Sequence, residues 1–107
     1  MDLRKNQLDN MSTLLSYLLS FDATLVPIKI RGFEYEERTI HNQSLRLLIS
    51  KLKKVRVITK ESSRTQKIQN KNGATYFRGY QTILTISKRN LLKYDKEFRR
   101  YHWLNPF

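Results

Sequence analysis

Leu45, Leu48, Ile49 and Leu52 recur at i, i+3, i+4 and i+7, one apolar stripe on a helix running from about Asn42 to Lys54. Lys51, Lys53 and Lys54 crowd its last turn, where cations complement the carbonyl end of the helix dipole. Just upstream, Ile28 and Ile30 alternate with Lys29 and Arg31, the pattern of a strand with one wet face. A strand feeding an amphipathic helix is half of a βαβ-type unit, and such a helix needs a sheet to cover. The rest of the chain must supply that sheet.

Residues 1–21 read as a helix with Leu8, Met11, Leu15, Leu18 and Leu19 on one face and Leu3, Leu14 and Phe21 at its edges. Asp2 and Asp9 with scarce arginine speak against a mitochondrial presequence, and no small-residue cleavage pattern follows. The segment is expected to be a docking helix or N-terminal extension, residues 1–24, ahead of a domain over 25–107. Leu25 to Tyr35 reads as one strand, with Pro27 at its start or on an edge and a bulge or bend at Gly32. A polar corner at Tyr35 to Arg38 leads to the helix, with Thr39 or Asn42 as caps. Val55 to Thr59 is a short β-branched strand, followed by a polar, basic stretch from Lys60 to Lys71. Asn72-Gly73 is a strong hairpin signal, because both turn positions tolerate positive φ. Thr75 to Ile86 is rich in β-formers, so a long basic hairpin is expected. Ser87 caps a second helix, roughly Lys88 to Tyr101, with Leu91, Leu92, Phe98 and Tyr101 as its apolar positions.

At 107 residues the chain is expected to be one domain with a single small core. It has no cysteine, hence no disulfide framework and no thiolate metal site. No apolar run approaches the roughly 20 residues that span a bilayer, and the basic half offers no long amphipathic helix for a lipid surface. Residues 1–50 hold six Lys/Arg and six Asp/Glu, whereas 51–107 hold fifteen and three, so the whole +12 sits in the second half. Charge segregated in this way reads as a polyanion-binding surface. Two alanines against seven Asn, eleven Lys and fifteen Leu suit an AT-rich genome, such as an organelle's.

Catalysis finds little to stand on. His41 and His102 are the only histidines, 61 residues apart. Glu34, Glu36 and Glu37 cluster beside Arg38, as a solvated loop would. No enzyme, metal or cofactor is expected, and a small magnesium nuclease using those glutamates is the enzymatic rival. Backbone contacts to nucleic acid explain the basic half better. The candidates are Lys51, Lys53, Lys54, Arg64, Lys67, Lys71, Arg78, Lys88 and Arg89, each read against a merely solvated face. Tyr76, Phe77 and Tyr80 are candidates for base stacking, read against a place in the strand core. A DNA-binding regulator using Arg89, Asn90, Lys93 and Arg100 of the second helix is the binding-module rival.

The run Ile28-Lys29-Ile30, Tyr35, Arg38, Gln43-Ser44 and Leu45-Arg46-Leu47-Leu48-Ile49 resembles the signature region of the small-subunit ribosomal protein S-ten (uS-ten) family. So does Ile83-Leu84-Thr85-Ile86-Ser87-Lys88-Arg89-Asn90-Leu91-Leu92, after a long basic loop. The resemblance covers residues 25–92. It departs by one inserted residue between Arg38 and Gln43, by the absence of the family's Gly-Pro…Pro-Thr segment, and by a last strand missing or reduced to 102–107. It implies an α+β, ferredoxin-like βαββαβ domain with a projecting basic hairpin, and a structural role in the head of the small ribosomal subunit. It also implies rRNA and S-three- and S-fourteen-type proteins as partners. A divergent mitochondrial member, ribosome-bound in the matrix and organelle-encoded, would reconcile departures and composition.

Overall fold

Helix α1 (Lys5–Leu19) leads into strand β1 (Leu25–Ile28), a small hairpin of β2 (Phe33–Tyr35) and β3 (Arg38–Ile40), and helix α2 (Asn42–Lys54). Strands β4 (Ile58–Gln69) and β5 (Thr75–Ile86) follow, then helix α3 (Lys88–Leu104). The structure is a computed structural model that describes residues 4–69 and 75–104, its side-chain description leaving out 64–69, 75–81 and 102–104. The main sheet is antiparallel in the order β1-β5-β4, and β2 pairs with β3 in a second sheet. Since β5 lies antiparallel to both neighbours, β1 and β4 run parallel, with α2 as the crossover between them. The architecture is α+β.

The stripe on α2 forms as its spacing requires: Leu45, Leu48, Ile49 and Leu52 are all buried. Its cap is His41, whose Nδ1 accepts the Gln43 N–H at 3.3 Å, rather than Thr39 or Asn42. Asn42 instead accepts the same N–H from inside the helix, at 2.9 Å. On α1, Leu8, Met11, Leu14, Leu15 and Leu18 are buried, and they share one core with the α2 stripe and with Leu91 and Phe98 of α3. The helix expected to be an extension docking elsewhere is thus covered by its own chain.

Arg99 ties α3 to α1. Its Nε donates to Asp95 at 3.2 Å, one Nη to the Ser12 hydroxyl, and the other Nη to Ser12 O at 3.2 Å and Ser16 Oγ at 3.1 Å. Hydrogen bonds to a charged group contribute about 1.5–3 kcal/mol where shielded, and this one is about a third exposed. Arg99→Met is therefore expected to cost about 2 kcal/mol. A urea midpoint unchanged by the substitution would remove the strut from the account.

The single strand expected over Leu25 to Tyr35 is broken. β1 ends at Ile28, Gly32 turns the chain at φ 77°, and Phe33 to Ile40 folds back on itself with Phe33 opposite Ile40. The loop of that hairpin is Glu36-Glu37, at φ 50° and 65°. Two-residue hairpin loops of the I′ type demand positive φ at both positions, which Asn-Gly supplies and glutamate resists. Glu36→Asn with Glu37→Gly should accordingly stabilise the fold by about 1–2 kcal/mol, raising Tm by several degrees. The control Glu36→Gln with Glu37→Gln should leave Tm in place; equal gains from both pairs would assign the effect to charge instead.

The edge of β1 is blunted. Ile86 N–H donates to Thr24 O at 2.7 Å, so by alternation Val26 and Ile28 bond toward β5 while Leu25 and Pro27 face outward. Pro27 has no N–H to strand there, and its carbonyl accepts the Tyr17 hydroxyl. The Tyr17 ring packs edge-on against Phe21, Phe33 and Tyr35. Burial, with a smaller push from Tyr35, raises the Tyr17 phenol above its ordinary value and keeps it a donor.

Three further expectations are corrected. Val55 and Arg56 form the turn after α2, Arg56 at φ 62°, so β4 begins only at Ile58. Leu92, placed among the apolar positions of the second helix, is 61% exposed. Helix α3 runs on to Leu104, so residues 102–104 are helical where a last strand was allowed for.

Candidate nucleic-acid interface

β5 is three times as long as the strand beside it. β1 pairs only with Thr82 to Thr85, whereas β4 accompanies β5 out to Gln69 opposite Thr75. Beyond Thr82 the sheet is therefore a two-stranded ribbon, about 20 Å long at 3.3 Å per residue. The molecule measures 59 × 26 × 21 Å, its long axis more than twice either other one. Two bulges interrupt the ladder: Thr59 is extra on β4, and Arg78 is extra on β5 between Gly79 (opposite Gln66) and Phe77 (opposite Lys67). Bulges bend and twist a strand pair, which suits an arm better than a flat sheet.

Arg64, Lys67 and Arg78 lie on this ribbon, and so do Tyr76, Phe77 and Tyr80. Register sets Lys67 opposite Phe77, Ile68 opposite Tyr76 and Thr65 opposite Tyr80, interleaving basic and aromatic positions. Lys71 and the Asn72-Gly73 turn fall outside the described residues.

The other candidates gather at the ribbon's root. Ser87 N–H donates to Val57 O at 2.9 Å and Asn90 Nδ2 to Arg56 O at 3.0 Å, pinning the start of α3 against the turn after α2. This brings Lys53, Lys54, Lys88 and Arg89 into one neighbourhood. The Ser87 cap is present, its Oγ accepting the Asn90 N–H at 3.4 Å. Two of the cations are partly committed inside the protein: Lys53 pairs with Glu61 at 3.2 Å, and Lys88 Nζ donates to the Phe21 carbonyl. Lys54 and Arg89 are exposed and Lys51 is half-buried. Arg56 and Lys60, exposed at the same root, belong with them and escaped the sequence reading, which had placed both in or beside a plain strand.

Between Glu61 and Asp95 there is no acidic residue, while Arg64, Lys67, Lys71, Arg78, Lys88, Arg89 and Lys93 lie within that span. Glu61 pairs with Lys53 and Asp95 with Arg99. The acidic trio Glu34, Glu36 and Glu37 sits on the β2–β3 hairpin, and among the described residues no group of three or more His, Cys, Asp or Glu is disposed to hold a metal ion. None of the described helices is long and apolar enough to cross a membrane. A basic arm with aromatic positions interleaved is chemically suited to phosphates and unpaired bases. Arg38, part of the quoted signature, is engaged by α1 instead, its Nε donating to Asn10 Oδ1 at 3.0 Å and its guanidinium pairing with Asp9 at 4.0 Å. No family model, curated protein or solved structure matches the chain.

Proposed function

We propose that this chain is a structural RNA-binding protein that grips folded RNA through its phosphates, the ribbon serving as the inserted arm and the root cations as its base. The observation that supports it most is the two-stranded extension of β4 and β5 in a span with no acidic residue. Phosphate neutralisation releases counterions and makes binding steeply salt-dependent. The DNA-regulator reading loses Asn90, its one base-reading amide, to the Arg56 carbonyl.

The finer form of the proposal is a divergent S-ten-type protein in the head of the small ribosomal subunit of a mitochondrion, touching rRNA and S-three- and S-fourteen-type neighbours. Its support is the quoted signature together with the order β1-β5-β4, the order expected of a ferredoxin-like βαββαβ sheet without its last strand. Co-sedimentation separates the two forms. A tagged chain should travel with small subunits on a gradient. Binding to structured RNA without co-sedimentation would end the ribosomal form and leave the RNA-binding one standing. Salt-independent binding would end both.

A further inference from the structure

Helix α3 carries Arg89, Lys93, Lys96 and Arg100, all exposed and spaced by four, three and four residues. At 100° per residue they fall within a sector of roughly 60° and span about 16 Å of the axis. The buried Leu91 and Phe98 lie on the opposite side, so the four form a straight rail facing directly away from the core. Among the described residues none of the four forms a salt bridge.

Such a rail works against the helix that bears it, and the one acid beside it, the exposed Glu97 four residues after Lys93 and three before Arg100, offsets this only in part. Like charges at i, i+3 and i+4 cost a few tenths of a kcal/mol per pair. The first turn of α3 has no acid and instead carries Lys88 and Arg89 at its positive dipole end. Local preferences broken together on one solvent face mark a surface with a bound partner. No aromatic residue interrupts the line, so it offers nothing for a base to stack on. Cations in a row suit the continuous phosphate backbone of a duplex.

We propose that this rail is a second phosphate-binding surface, and that one chain thereby bridges two double-helical RNA segments, one held by the ribbon and one by α3. The ribbon runs out beyond Thr82, where β1 no longer accompanies it, whereas the rail faces away from the core into which α3 packs. Two such separate surfaces suit two duplexes better than one straight one. The inference rests on the RNA-binding reading.

The test uses the full chain with two 20-base-pair RNA duplexes, one carrying an energy donor and the other an acceptor. Wild type should bring them together, giving energy transfer. Lys93→Gln, Lys96→Gln and Arg100→Gln combined, with Arg89 kept because it also belongs to the ribbon's root, should lower transfer at least tenfold while one duplex still binds. The salt slope of binding summed over both duplexes should be shallower by about 2–3 units, that of the ribbon-held duplex unchanged. The milder pair Lys93→Gln with Lys96→Gln should show roughly two-thirds of the slope change, and circular dichroism of both variants should keep the wild-type helix signal. Undiminished transfer by the threefold variant, or wild-type saturation at one duplex with no transfer, overturns the bridge. So does polyglutamate binding as tightly as duplex RNA, which would make the rail a site for acidic protein. Absence of any salt-dependent RNA binding by wild type would instead mark failure of the reading beneath it.

Discussion

Deletion of residues 1–21 is expected to leave a chain that does not fold. Helix α1 buries Leu8, Met11, Leu14, Leu15 and Leu18 in the same core as α2 and α3. Each such side chain contributes about 1.5–3 kcal/mol by burial, and domains of this size have only about 5–15 kcal/mol in total. Removing the helix also strips cover from Leu45, Leu48, Leu91 and Phe98 and takes away the Tyr17 bond that seals β1. The graded version is Leu15→Ala, expected to cost about 2–5 kcal/mol, against Leu18→Asp, expected to abolish the cooperative melt. The readout is the thermal transition followed by circular dichroism. A truncated chain melting at the wild-type temperature would return α1 to the status of an appendage.

Replacing Arg64, Lys67, Lys71 and Arg78 with glutamine should lower RNA affinity at least tenfold without lowering Tm. The salt dependence should flatten by about 3–4 units for duplex, or about 3 for single strands. Stability is spared because this part of the ribbon lies beyond Thr82, where β1 no longer takes part in the sheet. The aromatic positions behave differently. Tyr76→Ala, Phe77→Ala and Tyr80→Ala should each cost about 1–3 kcal/mol where a base stacks, with the salt slope unmoved. Filter binding across a salt series separates the two. A fourfold glutamine variant with an unchanged slope would show that the arm does not carry the phosphate contacts.

Local patterning read the elements well where periodicity and side-chain chemistry agree. The α2 stripe, the Ser87 cap and the strands flanking Asn72-Gly73 all follow from spacing. The β2–β3 hairpin was illegible, since Glu36-Glu37 carries none of the usual signals for positive φ and is held there by tertiary packing around Phe33 and Tyr35. A stripe such as that of α1 announces that it must be buried, not what will bury it. For the candidate site, charge segregation located the right half of the chain. It could not reveal that Lys53 and Lys88 are drawn to Glu61 and to the Phe21 carbonyl, because both partners are distant in sequence and one is a backbone atom. Arg99 makes the same point: a surface cation by composition, it is a strut by geometry.

That strut also sets a timetable. Ser12 and Arg99 are separated by 87 positions, so α1 must wait for α3 before the two can close around the core. At the usual pace of about 5–20 residues per second, the interval is on the order of ten seconds on the ribosome. Throughout it the leucines of α1 stay at least partly naked, and late closure of so large a loop favours slow, unassisted folding or the help of a holding chaperone. A protein wired in this way gains its shape only once α3 has been made.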